Sequence, residues 1–289
     1  MIIQQMSTTC LLQLFINMKL FLDDTWIEDT DASISIKDIA VLRGFAIFDF
    51  LRTYEGRPFR LEDHIDRFYN SASLMGMTPK YSKEEITRII HEGIKANGFP
   101  NTYIKFIQTG GISPDGFMPA RDQTFFVYFA KGEDYPKELY EQGIKVCTSD
   151  LMRQLPEIKS TNYAASIVEI QKARKTGGVD ILHTDTEGNI YEATRSNFFG
   201  VKDGKLITAE TGILKGITRK VILEIAEKEN IGLKLRFIQK SELFELDEAF
   251  ITNSSHEITP VVRIDTIEIG NGKPGEMTEK LTHLFKLQV

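Results

Sequence analysis

Along residues 46–54 the side chains alternate, with Phe48, Phe50 and Arg52 on one side of an extended chain and Ile47, Asp49 and Leu51 on the other. Downstream the period changes. Leu61, Ile65, Phe68, Ala72 and Met75 recur three and four apart, which predicts an amphipathic helix over 60–75. A second helix opens at Ser82, where Glu85 completes a capping box, runs through Ile86, Ile89, Ile90 and Ile94, and stops near Gly98. Strands over 102–109 and 124–130 follow, joined by a loop rich in glycine and proline.

Residues 131–142 are polar and read as a linker between a domain over 18–130 and another over 143–289. The second half opens with a strand over 144–150 and a helix over 163–175. A β-meander then turns at Glu187-Gly188-Asn189 and at Asp203-Gly204, the latter a good hairpin signal. A helix over 217–230 carries Val221, Ile222, Ile225 and Ala226 on one face. Helices beside antiparallel hairpins, with no repeating βαβ unit, predict an α+β fold.

Composition narrows the function classes. The chain has 289 residues, 42% of them hydrophobic, enough for a sizeable core in two domains. A net charge of −6 argues against a general nucleic-acid binder, whose affinity rests on a positive surface. Its two cysteines, Cys10 and Cys147, cannot build a disulfide framework or a structural zinc site, so no metal and a reducing, cytoplasmic compartment are expected. The apolar run over 10–16 is far short of the ~20 residues of a membrane span and lacks a basic leader, so no membrane partner is expected. Domain-like patterning begins at Met18, and 1–17 read as an upstream extension without function.

Three stretches look unlike pure scaffold. Gly212-Ile-Leu-Lys-Gly216-Ile217-Thr218-Arg219 runs a glycine-bearing turn into a helix, whose free N–H groups suit a phosphate; it also reads as an ordinary capped loop. Thr252-Asn-Ser254-Ser255-His256 clusters hydroxyls at a strand end, as oxyanion sites and simple turns both do. Lys159, at the start of a helix beside small polar residues, is a candidate nucleophile if desolvated and a surface charge if not.

Together with His64-Ile-Asp-Arg67-Phe68 and Tyr191-Glu192-Ala-Thr-Arg-Ser-Asn197-Phe-Phe, the segments Ile158-Lys159-Ser-Thr-Asn162 and Gly216-Ile217-Thr218-Arg219 resemble, in order and spacing, the class-IV aminotransferases. These are fold-type IV enzymes of pyridoxal 5′-phosphate and include branched-chain and D-amino acid aminotransferases and aminodeoxychorismate lyase. The resemblance implies a two-domain α+β fold, with a small N-terminal α/β domain and a larger β-rich domain, and a homodimer. It implies that Lys159 forms the Schiff base and moves the proton, and that Glu192 faces the pyridine nitrogen. Arg67, Ile217, Thr218, Ser254 and Ser255 would hold the phosphate, with Gly216, Asn197 and Tyr163 beside the cofactor.

The strand around Phe48 departs from the branched-chain pattern. A glycine usual after the acidic residue is Phe50, a tyrosine expected five residues before Phe48 is Arg43, and an arginine expected in the next strand is Lys105. The Arg-x-His trap of Bacillus-type D-amino acid enzymes is missing from the loop that begins at Gly111. Arg43 with Lys105, joined by Arg52, would make a different carboxylate trap. The expectation is therefore a D-amino acid aminotransferase using 2-oxoglutarate or pyruvate. A branched-chain L-amino acid aminotransferase with Phe48 in its pocket, a lyase resembling aminodeoxychorismate lyase, and a non-catalytic phosphate-binding protein stay open.

Overall fold

A computed structural model describes residues 18–133 and 135–289. The extension expected over 1–17 lies outside them. Six strands make the first sheet: β1 (Lys19–Leu22), β2 (Thr25–Glu28), β3 (Ala46–Tyr54), β4 (Arg57–Pro58), β5 (Thr102–Thr109) and β6 (Phe125–Lys131). They pair antiparallel throughout, in the order β2-β1-β6-β5-β3-β4.

A five-residue helix, α1 (Ile39–Arg43), leads into β3, while α2 (Leu61–Leu74) and α3 (Lys83–Asn97) cover one face of the sheet. Ser82 and Glu85 form the expected capping box, and Gly98 ends α3 in the left-handed conformation. Ile47 and Leu51 of β3 meet Ile65 and Phe68 of α2 in this core, so the alternation read from the sequence separates a helix-facing side from the side that holds Phe48 and Phe50. Gly93 lets α3 approach the sheet, because a Cβ there would lie 1.9 Å from the Phe129 ring.

The second sheet is built from β7 (Ile144–Ser149), β8 (Ile181–Thr184), β9 (Asn189–Ala193), β10 (Asn197–Lys202) and β11 (Lys205–Thr208). It continues with β12 (Leu233–Leu235), β13 (Ile238–Gln239), β14 (Glu248–Asn253), β15 (Glu257–Ile264) and β16 (Ile267–Glu268). Pairings run β10-β14-β15-β7-β8-β9, and β9 then pairs back onto β10, so six of these strands close into a ring. The closing rung is Glu192 opposite Asn197.

Between the sheets, residues 131–142 hold one turn of helix, α4 (Glu138–Glu141), which the polar composition does not reveal. Helix α5 (Ala164–Arg174) packs beside β8, and α6 (Ile217–Lys228) and α7 (Glu276–Lys286) pack against β14. Both turns expected in the meander are present, joining β8 to β9 and β10 to β11. No described helix is long and apolar enough to cross a membrane.

Candidate active site

A cavity of about 640 Å³ opens where the two sheets face each other. Lys159 enters it from a short segment docked onto the edge of β3: Phe48 N–H donates to the Lys159 carbonyl at 2.9 Å, and Thr161 N–H to the Ala46 carbonyl at 3.0 Å. Ser71 of α2 accepts the Lys159 N–H at 3.1 Å. The backbone is thus pinned on both sides, leaving the amine 4.6 Å from the centre of the Phe48 ring. No described carboxylate pairs with it. Enclosure, with Arg67 and Arg153 nearby, pulls its ammonium from 10.5 down to about 7, against the opposing pull of Asp49 and Glu192.

At one end of the cavity Arg67 is held in a fork by Asp49, with Nε to Oδ2 at 2.9 Å and Nη2 to Oδ1 at 2.8 Å. His64 Nδ1 lies 2.7 Å from the same carboxylate, which is fully buried. Burial alone would raise the Asp49 carboxyl, but Arg67 and His64 hold it well below the usual carboxylate range. Arg67 Nη1 also donates to the Lys215 carbonyl at 3.3 Å, which brings the guanidinium to the start of α6. No side chain caps that helix. Gly216 is needed there, since a Cβ would lie 2.0 Å from Asn197 Oδ1.

At the other end Glu192 is buried. Its Oε2 accepts from Asn197 Nδ2 and from Leu214 N–H, each at 3.1 Å, and its Oε1 pairs with Arg153. Burial pushes this carboxyl up to about 7, against the downward pull of Arg153. Tyr163 stands near Phe48, with ring centres 6.2 Å apart, and burial raises its hydroxyl. Ser254 and Ser255 also line the cavity, at the turn after β14, where Ser255 N–H and Oγ both donate to Asn253 Oδ1.

All ten residues expected at the cofactor, Arg67, Lys159, Tyr163, Glu192, Asn197, Gly216, Ile217, Thr218, Ser254 and Ser255, face this one cavity, as do Phe48 and Lys105. The carboxylate trap expected from Arg43 and Arg52 is not formed within the chain. Arg43 ends the short α1 before Gly44 turns left-handed; it is exposed and donates to the Leu42 carbonyl. Arg52 does not line the cavity but is buried against its wall, donating to the Ser255 carbonyl at 3.3 Å and lying 3.4 Å from Glu257, with the Tyr54 ring under its guanidinium at 4.5 Å. Arg195 lines the cavity with Lys105, and its charge opposes the upward push that burial gives the Asp180 carboxyl. Burial and Arg195 together lower the Lys105 ammonium.

The set fits a phosphorylated aromatic aldehyde. An uncapped twelve-residue helix beside an arginine suits a phosphate, a desolvated amine suits an aldehyde, and a buried carboxylate suits a cationic ring nitrogen. The buried hydroxyl of Thr252, also on the cavity wall, has no partner among the described residues, as a polar ligand's neighbour would lack one when alone.

Comparison with known proteins agrees with this geometry. Residues 46–264 match the profile of the family described as amino-transferase class IV. A putative branched-chain-amino-acid aminotransferase of Methanocaldococcus jannaschii is 33% identical, over 93% of this chain and 96% of the relative. The D-alanine aminotransferase of Staphylococcus haemolyticus is 32% identical, over 92% and 96%. Among solved structures, the Escherichia coli branched-chain aminotransferase superposes with a TM-score of 0.88 at 26% identity, covering 94% of each chain. The pyridoxal-phosphate form of the Thermobaculum terrenum branched-chain enzyme gives 0.84 at 27% identity, covering 93% of each.

Proposed function

The chain belongs to the amino-transferase class IV family, and from that premise we propose that it is a D-amino acid aminotransferase acting with 2-oxoglutarate or pyruvate through Lys159. It is an aminotransferase that uses pyridoxal 5′-phosphate. When bound, the cofactor supplies an aldehyde for the amine and a ring that takes up the electron pair left when a proton departs from Cα.

The residues divide the remaining work. Arg67, fixed by Asp49, and the N–H groups at Ile217 and Thr218 bind the phosphate, with Ser254 and Ser255 on the adjacent turn. Glu192 offers an anion to the ring nitrogen, and Asn197 holds that carboxylate in place. Lys159, whose amine burial holds well below the usual lysine range, would take the proton from Cα, hold it at Nζ and give it back in the reverse half of the exchange. One observation carries this reading: the enclosed Lys159 amine, without a carboxylate partner among the described residues, shares one cavity wall with Arg67, the uncapped start of α6 and the buried Glu192.

Substrate choice rests on the cationic wall formed by Lys105 and Arg195, which suits a second carboxylate and so favours dicarboxylic partners. The apolar wall of Phe48, Phe50, Ile167 and Ile170 favours the second reading, a branched-chain L-amino acid aminotransferase. Half-reactions with D-alanine, D-glutamate and L-leucine, followed as loss of the visible cofactor band, separate the two. D-glutamate reacting fastest supports the first; L-leucine reacting fastest replaces it with the second.

We also place domains at 18–130 and 143–289 around a linker over 131–142, and propose a cytoplasmic homodimer. The dimer is supported by exposed apolar side chains on neighbouring segments: Val41 and Leu42 on one, Ile112, Phe117 and Met118 on the other, joined by the bridge from Asp38 to Ile112.

A further inference from the structure

Arg153 belongs to none of the motifs that carry the family resemblance, yet its guanidinium lies against the carboxylate at the heart of the site. Its side chain is 13% exposed and that of Glu192 is 4%. Nη1 meets Glu192 Oε1, while Nη2 donates at 3.3 Å to the carbonyl of Ile158, the residue before Lys159. Asn197 and Leu214 both donate to Oε2, so Arg153 is the one described donor on Oε1. That leaves Oε1 as the oxygen with more spare accepting capacity, on a residue that lines the cavity.

We propose that Arg153 is a positioning residue for Glu192: its ion pair with Oε1 keeps the carboxylate anionic and available to the ring nitrogen of the bound cofactor. The inference rests on the cofactor reading above. A buried carboxylate without a counter-charge takes up a proton, and a neutral acid would not hold that nitrogen protonated. Burial already favours the protonated form of Glu192, and Arg153 is the strongest influence in the other direction. Lys159 acts in the same direction more weakly; Tyr163 feels both members of the pair, and the buried His183 feels Arg153. Arginine suits the task because it stays charged in any protein environment.

The test titrates two ligands into apo-protein: pyridoxal 5′-phosphate, and its analogue with carbon in place of the ring nitrogen. Arg153→Met is expected to weaken binding of the natural cofactor roughly tenfold or more and to change binding of the analogue by less than about twofold, the scale of one charge-assisted contact. Arg153→Lys should recover most of that loss, and Glu192→Gln should show the same nitrogen-dependent pattern as Arg153→Met. Equal weakening of both ligands, or none of either, overturns the proposal. Should Arg153→Met not fold, Arg153→Lys decides alone: a small loss confined to the natural cofactor supports the proposal, and equal losses overturn it. Wild-type protein that fails to bind pyridoxal phosphate defeats the underlying reading instead, and that failure is seen before any variant is made.

Discussion

Two arginine–carboxylate pairs adjoin one cavity, and the same chemistry behaves oppositely in them. Asp49 accepts two hydrogen bonds from Arg67 and has His64 as a third neighbour, so its carboxyl is held far down despite complete burial. Glu192 meets Arg153 through a single oxygen, its other partners are neutral amides, and its carboxyl is pushed up. Burial opposes ionisation at both ends; the number and geometry of cationic donors decide the outcome. One pair is a fixed clamp that holds its arginine in a single orientation. The other is an adjustable charge.

The largest effect is expected between the pairs. Lys159→Ala should lower transamination by about a thousandfold or more while leaving the circular dichroism spectrum unchanged. Borohydride reduction of the cofactor-loaded wild type should mark the peptide that contains Lys159. Breaking the clamp comes next. Asp49→Asn strands a largely buried Arg67 guanidinium and should cost about 3 kcal/mol in urea unfolding of the apo-protein.

The adjustable end is tested by pH. With its folded value raised to about 7 from 4.5, Glu192 binds more proton in the folded state across that interval. Apo-protein stability should therefore fall from pH 4.5 to 7, by at most about 1.4 kcal/mol per pH unit from this group, and Glu192→Gln should flatten that slope. Asp49, shifted the other way, contributes stability that is complete above about pH 4 and is lost only in stronger acid, so it leaves this window untouched. The smallest effect is at the cavity wall. Arg195→Ser should reduce kcat/KM for 2-oxoglutarate relative to pyruvate about tenfold, or 1.4 kcal/mol.

The contrast also shows what a sequence can reveal. Periodicity and capping located α2, α3 and the strand β3, because those signals lie within a few neighbouring residues. Motif order brought all ten cofactor candidates to one cavity. Asp49 was visible as a carboxylate on the face it shares with Ile47 and Leu51, an arrangement that calls for a buried cation, but nothing local says that the cation is eighteen positions away on α2. Arg153 is thirty-nine positions from Glu192, in a loop without periodicity. Arg52 was misplaced for the same reason, because Glu257, from a distant strand, pairs with it; Arg43 differs, left on the surface where α1 ends at Gly44. Arg195 left a fainter trace, as the one cation between Glu192 and Asn197.

The strand circuit that closes at Glu192 and Asn197 has a consequence for how this chain can change. A joint in a closed circuit is located from both directions around the circumference. Sliding β9 by one residue would turn the carboxylate to the opposite face, and sliding it by two would break its registers with β8, β10 and β13 together. Loops at the rim are free to vary in length and charge, and with them the molecules admitted. The acid itself can be replaced, but it cannot drift.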